Sequence, residues 1–338
     1  MGSNVKMVMS RADKGYADKI ADGERYLGHF RYAKRLGYQV LKPTKSRVGC
    51  VVFDGGKCVF FKESEPFLSN IWHPRHNDKY ETKELLKSIG VGVPVGQVFE
   101  PGSDQLIVDW YIKSGLGQVV LKPASLNKGK GVFVGISSVE DLKKKYSRIS
   151  SYSCVLEEQL KGDEHRFLVV GGRVVAVARR TAANIIGDGE SKIKELIERK
   201  NKKRMESIVH RKNIVKIDDE LLSYINGKGY DLDSVPDLSE RVFLREVSNV
   251  SMGGDSEDVT GNVHESFIEI AERIWDVFND RAVYGVDLIC SDITKPAEEV
   301  GYGVIEINNR PMLAGLHGHP IYGSGRQVGK KIIDYVFG

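Results

Sequence analysis

The most informative segment of the sequence is an apolar run that ends in a lysine and continues into a glycine-rich loop. It reads VVLKPASLNKGKGV from Val119 to Val132. A strand that ends in Lys122 places an ammonium group at a partly buried edge, which is costly unless an anion meets it. Gly129 and Gly131 allow the loop backbone to approach a ligand and to point N–H groups at phosphate oxygens. This arrangement favours a nucleotide site, although an exposed lysine beside a flexible turn gives the same pattern.

Other nucleotide-binding motifs fit the sequence poorly. Gly-Lys-Ser and Gly-Lys-Thr, which end a Walker A loop, do not occur. The pair Gly129 and Gly131 lacks the third glycine of a Rossmann fingerprint. The protein-kinase motifs are missing as well, because His165-Arg166 is followed by Phe167 and not by aspartate.

Two further segments carry acids at strand ends. One reads VLEEQLKGDE from Val155 to Glu164, and Glu164 could accept two hydrogen bonds from ribose hydroxyls while the strand backbone pairs with an adenine edge. Solvated acids at the end of an ordinary strand would give the same sequence. By itself this segment does not identify a nucleotide contact.

The second acidic segment, Val304–Asn308, has the residue types of a metal site when it is taken together with Tyr284–Ile289. Residues i and i+2 of a strand share a face, so Glu306 and Asn308 point together. Asp287 interrupts another apolar strand, where an unpaired carboxylate would be expensive. Two carboxylates and an amide oxygen are hard ligands that suit Mg²⁺. The alternative is a salt bridge from Asp287 to Arg245 or Arg180.

Composition limits the class of protein. The 338 residues include 50 Lys+Arg and 46 Asp+Glu, a formal net charge of +4, and 41% are hydrophobic. Collagen, low-complexity disorder and disulfide miniproteins are excluded, and the length predicts about two domains. No stretch approaches the ~18 apolar residues that span a membrane, and we see no apolar signal core at the amino terminus. Four scattered cysteines without a C-x-x-C pair favour a reduced, cytoplasmic location.

The positive charge is concentrated in one segment. Between Glu190 and Lys212 there are nine Lys or Arg residues and four Asp or Glu residues. A nucleic-acid-binding protein usually has a broad basic face, which this sequence lacks. We therefore interpret the segment as a solvated helix surface, and a nucleic-acid partner is not expected.

Secondary-structure signals predict an α+β fold. Asp78 with Glu81 forms a capping box that starts a helix. Two strand-like runs follow, Gln105–Val108 and Gln118–Leu121, with a possible helix between them. Gly171-Gly172 between two apolar runs is the strongest hairpin signal in the chain. Strands and helices alternate irregularly, so a doubly wound parallel sheet is not expected.

The order of these motifs resembles that of the ATP-grasp ligases. The likeness is strongest to the ATP-grasp domain of cyanophycin synthetase and of the bifunctional glutamate–cysteine ligase/glutathione synthetase, and it covers about residues 77–338. The matching elements are Lys79, Lys122, the Gly-rich loop, Glu157 to Glu164, Asp287 and Glu306-x-Asn308, together with Val174–Arg180, Gly187-Asp188-Gly189, Leu232–Pro236, Leu244-Arg245, Asn249, Ser251, Gly253-Gly254 and Asp258–Thr260.

This resemblance implies an α+β ATP-grasp fold of three subdomains, with the nucleotide between two lobes built on antiparallel sheets. The implied parts are an amino-terminal substrate-side domain (1–76), a central lid domain (77–157) and a carboxy-terminal domain with the Mg²⁺ site (158–338). It also implies residue roles. Nucleotide contacts would come from Lys79, Lys122, Lys128, Gly129, Lys130, Gly131, Glu157, Glu158, Leu160 and Glu164. Asp287, Glu306 and Asn308 would bind metal, and Arg180, Arg245 and Asn249 would face the reacting groups.

The implied activity is ATP-dependent ligation of an acid to an amine through an acylphosphate, with ADP and phosphate released. ATP and two Mg²⁺ ions are the implied cofactors, with Mn²⁺ as a substitute. Amino acids or small peptides are the implied substrates, and the resemblance allows a homo-oligomer but leaves the oligomeric state open. An ATP-grasp kinase is the alternative.

The sequence departs from the family pattern in two places. Arg310-Pro311-Met312 replaces the Pro-Gly that follows the metal asparagine, and Arg310 could clamp a substrate carboxylate. The first ~75 residues do not match the glutamate–cysteine ligase domain, and no Mur-ligase-like domain follows. We therefore expect neither the first half-reaction of glutathione synthesis nor processive cyanophycin synthesis. His317 and His319 are expected to be structural or recognition residues.

Overall fold

The part of the chain that the structure describes contains four separate antiparallel sheets. This computed structural model describes residues 35–37, 39–41, 49–54, 57–62, 65–66, 79–124, 131–278, 282–308 and 311–338. The first sheet contains four strands in sequential order: β1 (Gln39–Leu41), β2 (Gly49–Asp54), β3 (Lys57–Lys62) and β4 (Glu65–Pro66).

The second, central sheet has the strand order β5-β8-β6-β7. Its strands are β5 (Gly96–Phe99), β6 (Val119–Pro123), β7 (Phe133–Ile136) and β8 (Cys154–Glu158). Helix α1 (Lys79–Ser88) precedes the sheet, and α2 (Asp104–Ser114) and α3 (Val139–Tyr146) contribute to its core. Leu121, Leu142 and Leu156 are fully buried in that core.

The expected strand at Gln105–Val108 is wrong, because these residues lie in α2. Ile107, Val108 and Tyr111 are its buried residues. Their spacing of one, three and four positions places them on one helix face. The short apolar run therefore reflects helical packing.

The third sheet has five strands in the order β13-β10-β9-β14-β15, and a two-stranded ribbon, β11-β12, lies apart from it. The strands are β9 (Asp163–Val170), β10 (Arg173–Thr181), β11 (Asn184–Ile186), β12 (Arg241–Phe243), β13 (Asp255–Asp258), β14 (Val283–Cys290) and β15 (Tyr302–Asn308). The helices are α4 (Ile193–Met205), α5 (Asp219–Asn226), α6 (Glu265–Arg273), α7 (Trp275–Phe278), α8 (Ala297–Val300) and α9 (Val328–Phe337).

The predicted glycine hairpin is confirmed. Val170 and Arg173 pair across a two-residue turn that joins β9 to β10. Gly171 and Gly172 have φ values of 56° and 78°, the left-handed conformation that a two-residue hairpin of this type requires at both central positions.

The five-stranded sheet is covered differently on its two faces. On one face, Phe167 and Val286 pack with Leu86 of α1 and Phe267 of α6. On the other, Leu168 and neighbouring residues pack against α9. Because residues two apart in a strand share a face, Glu164 and Arg166 lie on the α9 face of β9. Helix α1, which the sequence-based division assigns to the central domain, thus packs against the carboxy-terminal sheet.

The basic segment contains helix α4, and much of the charge of the whole segment is neutralised. Five of its nine cations form ion pairs with acids, namely Lys192, Lys194, Arg199, Lys200 and Arg204. Arg204 is buried and bonds to Asp255 and to the carbonyls of Asn213, Gly253 and Gly254. The interpretation as a solvated helix surface thus fits the exposed cations of the segment, but not Arg204. In the part of the chain that the structure describes, no helix combines the length and apolarity that crossing a membrane requires.

Candidate functional site

Two buried lysines share one carboxylate beside the central sheet. Lys122, at the end of β6, lies 2.6 Å from Oε1 of Glu157 on β8. Lys83 of α1 bonds to Oε2 of the same carboxylate. All three residues are buried. The expected lysine at the strand end is therefore present, together with a second lysine that the sequence-based assignment does not include.

The electrostatics of this triad favour an additional anion. Burial, reinforced by the charge of Lys122, lowers the pKa of Lys83 to about 8. Burial alone would raise the pKa of Glu157, but the charges of Lys122 and Lys83 outweigh it and hold that pKa below its usual value. Two ammonium groups against one carboxylate leave an excess positive charge, which a phosphate oxygen could neutralise.

A second charged cluster lies on the α9 face of the five-stranded sheet. Arg166, Asp287 and Glu306 are direct neighbours across β9, β14 and β15. Arg180 on β10 is the neighbour of Glu164 on β9. The register of four strands thus brings residues up to 142 positions apart in the sequence into one cluster of two adjacent rows, Arg166-Asp287-Glu306 and Arg180-Glu164.

Asp287 is the centre of this cluster. Arg166 donates to both of its oxygens, with a separation of 2.7 Å between Nη2 and Oδ2. Arg180 Nη1 lies 3.1 Å from Oδ2, and Asn308 Nδ2 donates to the same oxygen over 3.0 Å. The carboxylate therefore accepts four hydrogen bonds, and the predicted alternative of a salt bridge to Arg180 is present.

Arg180 connects Asp287 to Glu164 and to the segment before Asn249. Its Nη1 lies 2.6 Å from Glu164 Oε1, and its Nη2 donates to the carbonyl of Ser248. Burial raises the pKa of Glu164 to about 7 against the opposing charge of Arg180, with Asp287 adding to the increase. Burial likewise opposes ionisation of Asp287, but Arg166 and Arg180 lower its pKa.

The donor set fits Mg²⁺ in chemistry and in placement. Asp287 and Glu306 are register partners, and Asn308 already contacts Asp287. Mg²⁺ uses few protein ligands, so two carboxylates and one amide suffice. Within the described residues no group of three or more His, Cys, Asp or Glu side chains could hold a metal. A cation bound to Oδ2 of Asp287 would displace at least one of the three donors from which this oxygen accepts.

Other predicted residues lie apart from these clusters or outside the description. Arg245 is buried and pairs with Asp218 and Glu220 at the start of α5, at 2.6 and 3.1 Å. The Asn249 side chain accepts from the amide of Ser251. The Glu158 amide donates to Val95, and Gly131 has a φ of 69°. Lys128, Gly129, Lys130, Arg310 and the side chain of Lys79 lie outside the description, and Leu160 lies next to Gly303 of β15.

His317 is the most isolated polar side chain near the cluster. It lies in the helical turn Ala314–Gly318 and is 1% exposed. Neither ring nitrogen has a hydrogen-bond partner among the described residues. Burial, together with the nearby charge of Arg166, lowers its pKa to about 3, so the ring is neutral at physiological pH.

Lys83 and Arg166 are the site residues that the sequence did not reveal. Lys83 lies one helical turn after Lys79, so the same helix face could have been considered. Arg166 lies two residues after Glu164 in a strand, which is the spacing that identified Glu306 and Asn308. That rule, applied to β9, would have found it.

Known proteins share this architecture. No protein-family model matches the chain. The glutathione biosynthesis bifunctional protein GshAB of Clostridium perfringens is 34% identical over 266 residues, 77% of this chain and 34% of that protein. Cyanophycin synthetase of Crocosphaera subtropica is 34% identical over 269 residues, 77% of this chain and 30% of that protein. The chain thus spans about a third of the length of these relatives.

A solved structure has the same fold. The bifunctional glutathione synthetase from Pasteurella multocida superposes with a TM-score of 0.67 at 28% identity, over 93% of this chain and 44% of that chain. With its antiparallel sheets and its two charged clusters, the chain has the ATP-grasp fold, and the expected α+β ATP-grasp fold is confirmed. Within that class it is similar to bifunctional glutathione-biosynthesis proteins and to cyanophycin synthetases.

Proposed function

We propose that this protein is an ATP-dependent carboxylate–amine ligase that joins an amino acid or a small peptide to an amine and releases ADP and phosphate. One observation carries the proposal: Asp287, Glu306 and Asn308 lie together on one sheet face, with Arg180 and Glu164 beside them. The relatives named for glutathione biosynthesis and cyanophycin synthesis support amide-bond chemistry.

Ligation through an acylphosphate can be catalysed by charged groups alone, without a nucleophile from the protein. A carboxylate is a poor electrophile because its charge is delocalised and hydroxide is a poor leaving group. Transfer of the γ-phosphoryl group of ATP to the carboxylate gives an acylphosphate, from which an amine displaces phosphate. Such a reaction is accelerated by positioning and by charge stabilisation rather than by a protein nucleophile.

The two clusters have separate roles in this proposal. Lys122 and Lys83 bind phosphate oxygens, and the backbone near Glu158 and Leu160 meets the adenine. Asp287, Glu306 and Asn308 hold Mg²⁺, whose charge offsets that of the phosphate oxygens. Arg180 faces the transferred phosphoryl group. Lys79, Lys128, Gly129, Lys130, Gly131, Glu157, Glu164, Arg245, Asn249 and Arg310 keep the roles that the resemblance implies for them.

Product analysis tests the reaction. Purified protein incubated with ATP, Mg²⁺ and candidate acids should form ADP, and hydroxylamine should trap a hydroxamate. AMP in place of ADP would exclude the acylphosphate route. A kinase would form ADP without a hydroxamate. A screen of amino acids and dipeptides for phosphate release would identify the acid and the amine.

A matched pair of variants tests the site. Glu306→Ala should lower kcat by at least about 100-fold, the size of effect expected when a group that stabilises transition-state charge is lost. Glu299→Ala removes an exposed acid of α8 from the segment just before β15 and should leave kcat unchanged. Equal activity of the two variants would exclude Glu306 from the site. The use of two ions, replacement by Mn²⁺, a homo-oligomeric state and a cytoplasmic location are further parts of this proposal.

A further inference from the structure

We propose that Arg166 blocks the metal position at Asp287 until a nucleoside triphosphate binds, so that the divalent cation binds with the nucleotide and not before it. This inference rests on the proposed function, because it assumes that Asp287 is a metal ligand. It concerns a residue outside the set that the family resemblance predicts.

The first argument is that donors already occupy both oxygens of the carboxylate. An ionised carboxylate has about four lone-pair positions. Asp287 accepts two hydrogen bonds from Arg166, one from Arg180 and one from Asn308. Three of these bonds fall on Oδ2 and the fourth, from Arg166 Nε, falls on Oδ1. A cation that coordinates Oδ2 therefore displaces a donor, and one that coordinates Oδ1 lies directly beside the Arg166 guanidinium.

The second argument is the different bonding of the two arginines. Arg180 also bonds to Glu164 and to the carbonyl of Ser248, so it keeps acceptors if it releases Asp287. The hydrogen bonds of the Arg166 guanidinium that the structure describes all go to Asp287. Arg166 is 7% exposed. Released from Asp287, its charge would be offset only by the nearby Glu306 and Glu164, of which the first belongs to the proposed metal site and the second is paired with Arg180. Release without a new acceptor is therefore unfavourable.

A triphosphate supplies hydrogen-bond acceptors for the Arg166 guanidinium once it leaves Asp287. Phosphate oxygens accept bidentate hydrogen bonds from a guanidinium as well as a carboxylate does. With the nucleotide in place, Arg166 can transfer its bonds to phosphate, and Asp287 becomes available to the cation. Without a nucleotide, the cation must approach two guanidinium groups and compete with them for one carboxylate.

Electron paramagnetic resonance of free Mn²⁺ tests this order of binding, because it measures metal bound to the protein without turnover. In the absence of nucleotide the wild-type protein should bind Mn²⁺ weakly, with Kd above about 1 mM. Arg166→Gln should tighten that binding by at least about tenfold, which corresponds to the loss of roughly 1.4 kcal/mol of competition. Arg173→Gln, which removes an exposed arginine at the start of β10, is the matched control and should not change Kd.

Arg166→Lys covers the case in which Arg166→Gln does not fold. Lysine keeps the charge but cannot occupy both carboxylate oxygens, so about threefold tighter binding is expected. A wild-type protein that binds one Mn²⁺ below about 100 µM without nucleotide, with that site lost in Glu306→Gln, would overturn the proposal. So would unchanged Mn²⁺ binding in a folded Arg166 variant.

The outcome separates this inference from the proposed function. If the wild type forms ADP and hydroxamate but the Arg166 variants bind Mn²⁺ no more tightly, the inference fails and the ligase stands. If the variants bind Mn²⁺ more tightly and no acid yields ADP, Arg166 controls the metal position and the ligase proposal fails.

Discussion

At the scale of single residues, the triad of Lys83, Lys122 and Glu157 should respond unequally to the loss of its members. Glu157→Gln leaves two buried ammonium groups without their carboxylate and should lower the free energy of unfolding by about 3–5 kcal/mol. Lys83→Met leaves the pair of Lys122 and Glu157 intact, at 2.6 Å, and should cost less than about 1 kcal/mol. Urea unfolding at pH 7 measures both. Equal losses would show that the triad does not share charge as described.

The same lysine predicts a dependence of stability on pH. The pKa of Lys83 is about 8 in the folded protein against 10.5 as the ordinary value. At a pH between these two pKa values, the unfolded chain holds a proton on Lys83 that the folded chain has lost. The free energy of unfolding therefore increases by about 1.4 kcal/mol for each pH unit in this range. Wild-type stability should therefore rise relative to Lys83→Met between pH 8 and pH 10.

Urea unfolding of both proteins at several pH values gives this difference. Lys87→Met is the control, since Lys87 is exposed on the same helix and pairs with Glu84. A constant difference between wild type and Lys83→Met across the window would contradict the depressed pKa.

What the sequence revealed about individual residues depended on local signals. Lys122 was predictable because it ends an apolar strand before a glycine-rich loop. Lys83 was not, because its partner Glu157 lies 74 positions away and the contact exists only after α1 and β8 meet. A lysine in a helical sequence does not by itself indicate that its side chain is buried in the folded protein.

At the scale of elements, the turn between β9 and β10 was predictable because glycine alone adopts its backbone cheaply. Two positive φ values in succession leave few other choices of residue. The helix α2 was partly mistaken for a strand, since Gln105–Val108 is too short to distinguish the two periods. Only the burial of Tyr111 together with Ile107 makes the helical period evident.

That turn should be intolerant of a methyl group. Gly171→Ala places a Cβ at a φ of 56°, where it clashes with the ring of Tyr335. Backbone strain and the clash together should lower the free energy of unfolding by about 2–4 kcal/mol. Gly102→Ala has a similar φ of 84° but no atom within 4 Å, so it should cost only about 1 kcal/mol. Chemical denaturation of both variants measures the difference, and equal costs would show that Tyr335 yields freely.

At the scale of the whole molecule, the candidate site depends on long-range pairing that no local pattern contains. Arg166 and Asp287 are 121 positions apart and meet because β9 and β14 are neighbours in one register. The sequence identified Asp287 as an expensive buried carboxylate but left its partner open between Arg180 and Arg245. Arg245 pairs instead with acids of α5, since the chain between β11 and β12 supplies them nearby.

The separate apolar cores predict separate thermal transitions. Leu142 is fully buried in the core of the central sheet, and Ile332 is fully buried between α9 and the five-stranded sheet. Leu142→Ala should destabilise the first core by about 2–5 kcal/mol and leave the second nearly unchanged, and Ile332→Ala should do the reverse. Calorimetry without nucleotide should therefore show two transitions that the variants shift one at a time.

Nucleotide should couple the two transitions. Lys122 and Glu157 belong to the central sheet, whereas Asp287 and Glu306 belong to the five-stranded sheet. A non-hydrolysable ATP analogue with Mg²⁺ that contacts both groups binds only when both cores are folded, and at a hundredfold excess over Kd it stabilises that state by about 2.7 kcal/mol. The lower transition of Leu142→Ala should then move towards the upper one and merge with it. If the analogue raises the temperature of only one transition, the nucleotide contacts only one of the two sheets. Lys122 and Asp287 would then not belong to the same nucleotide site.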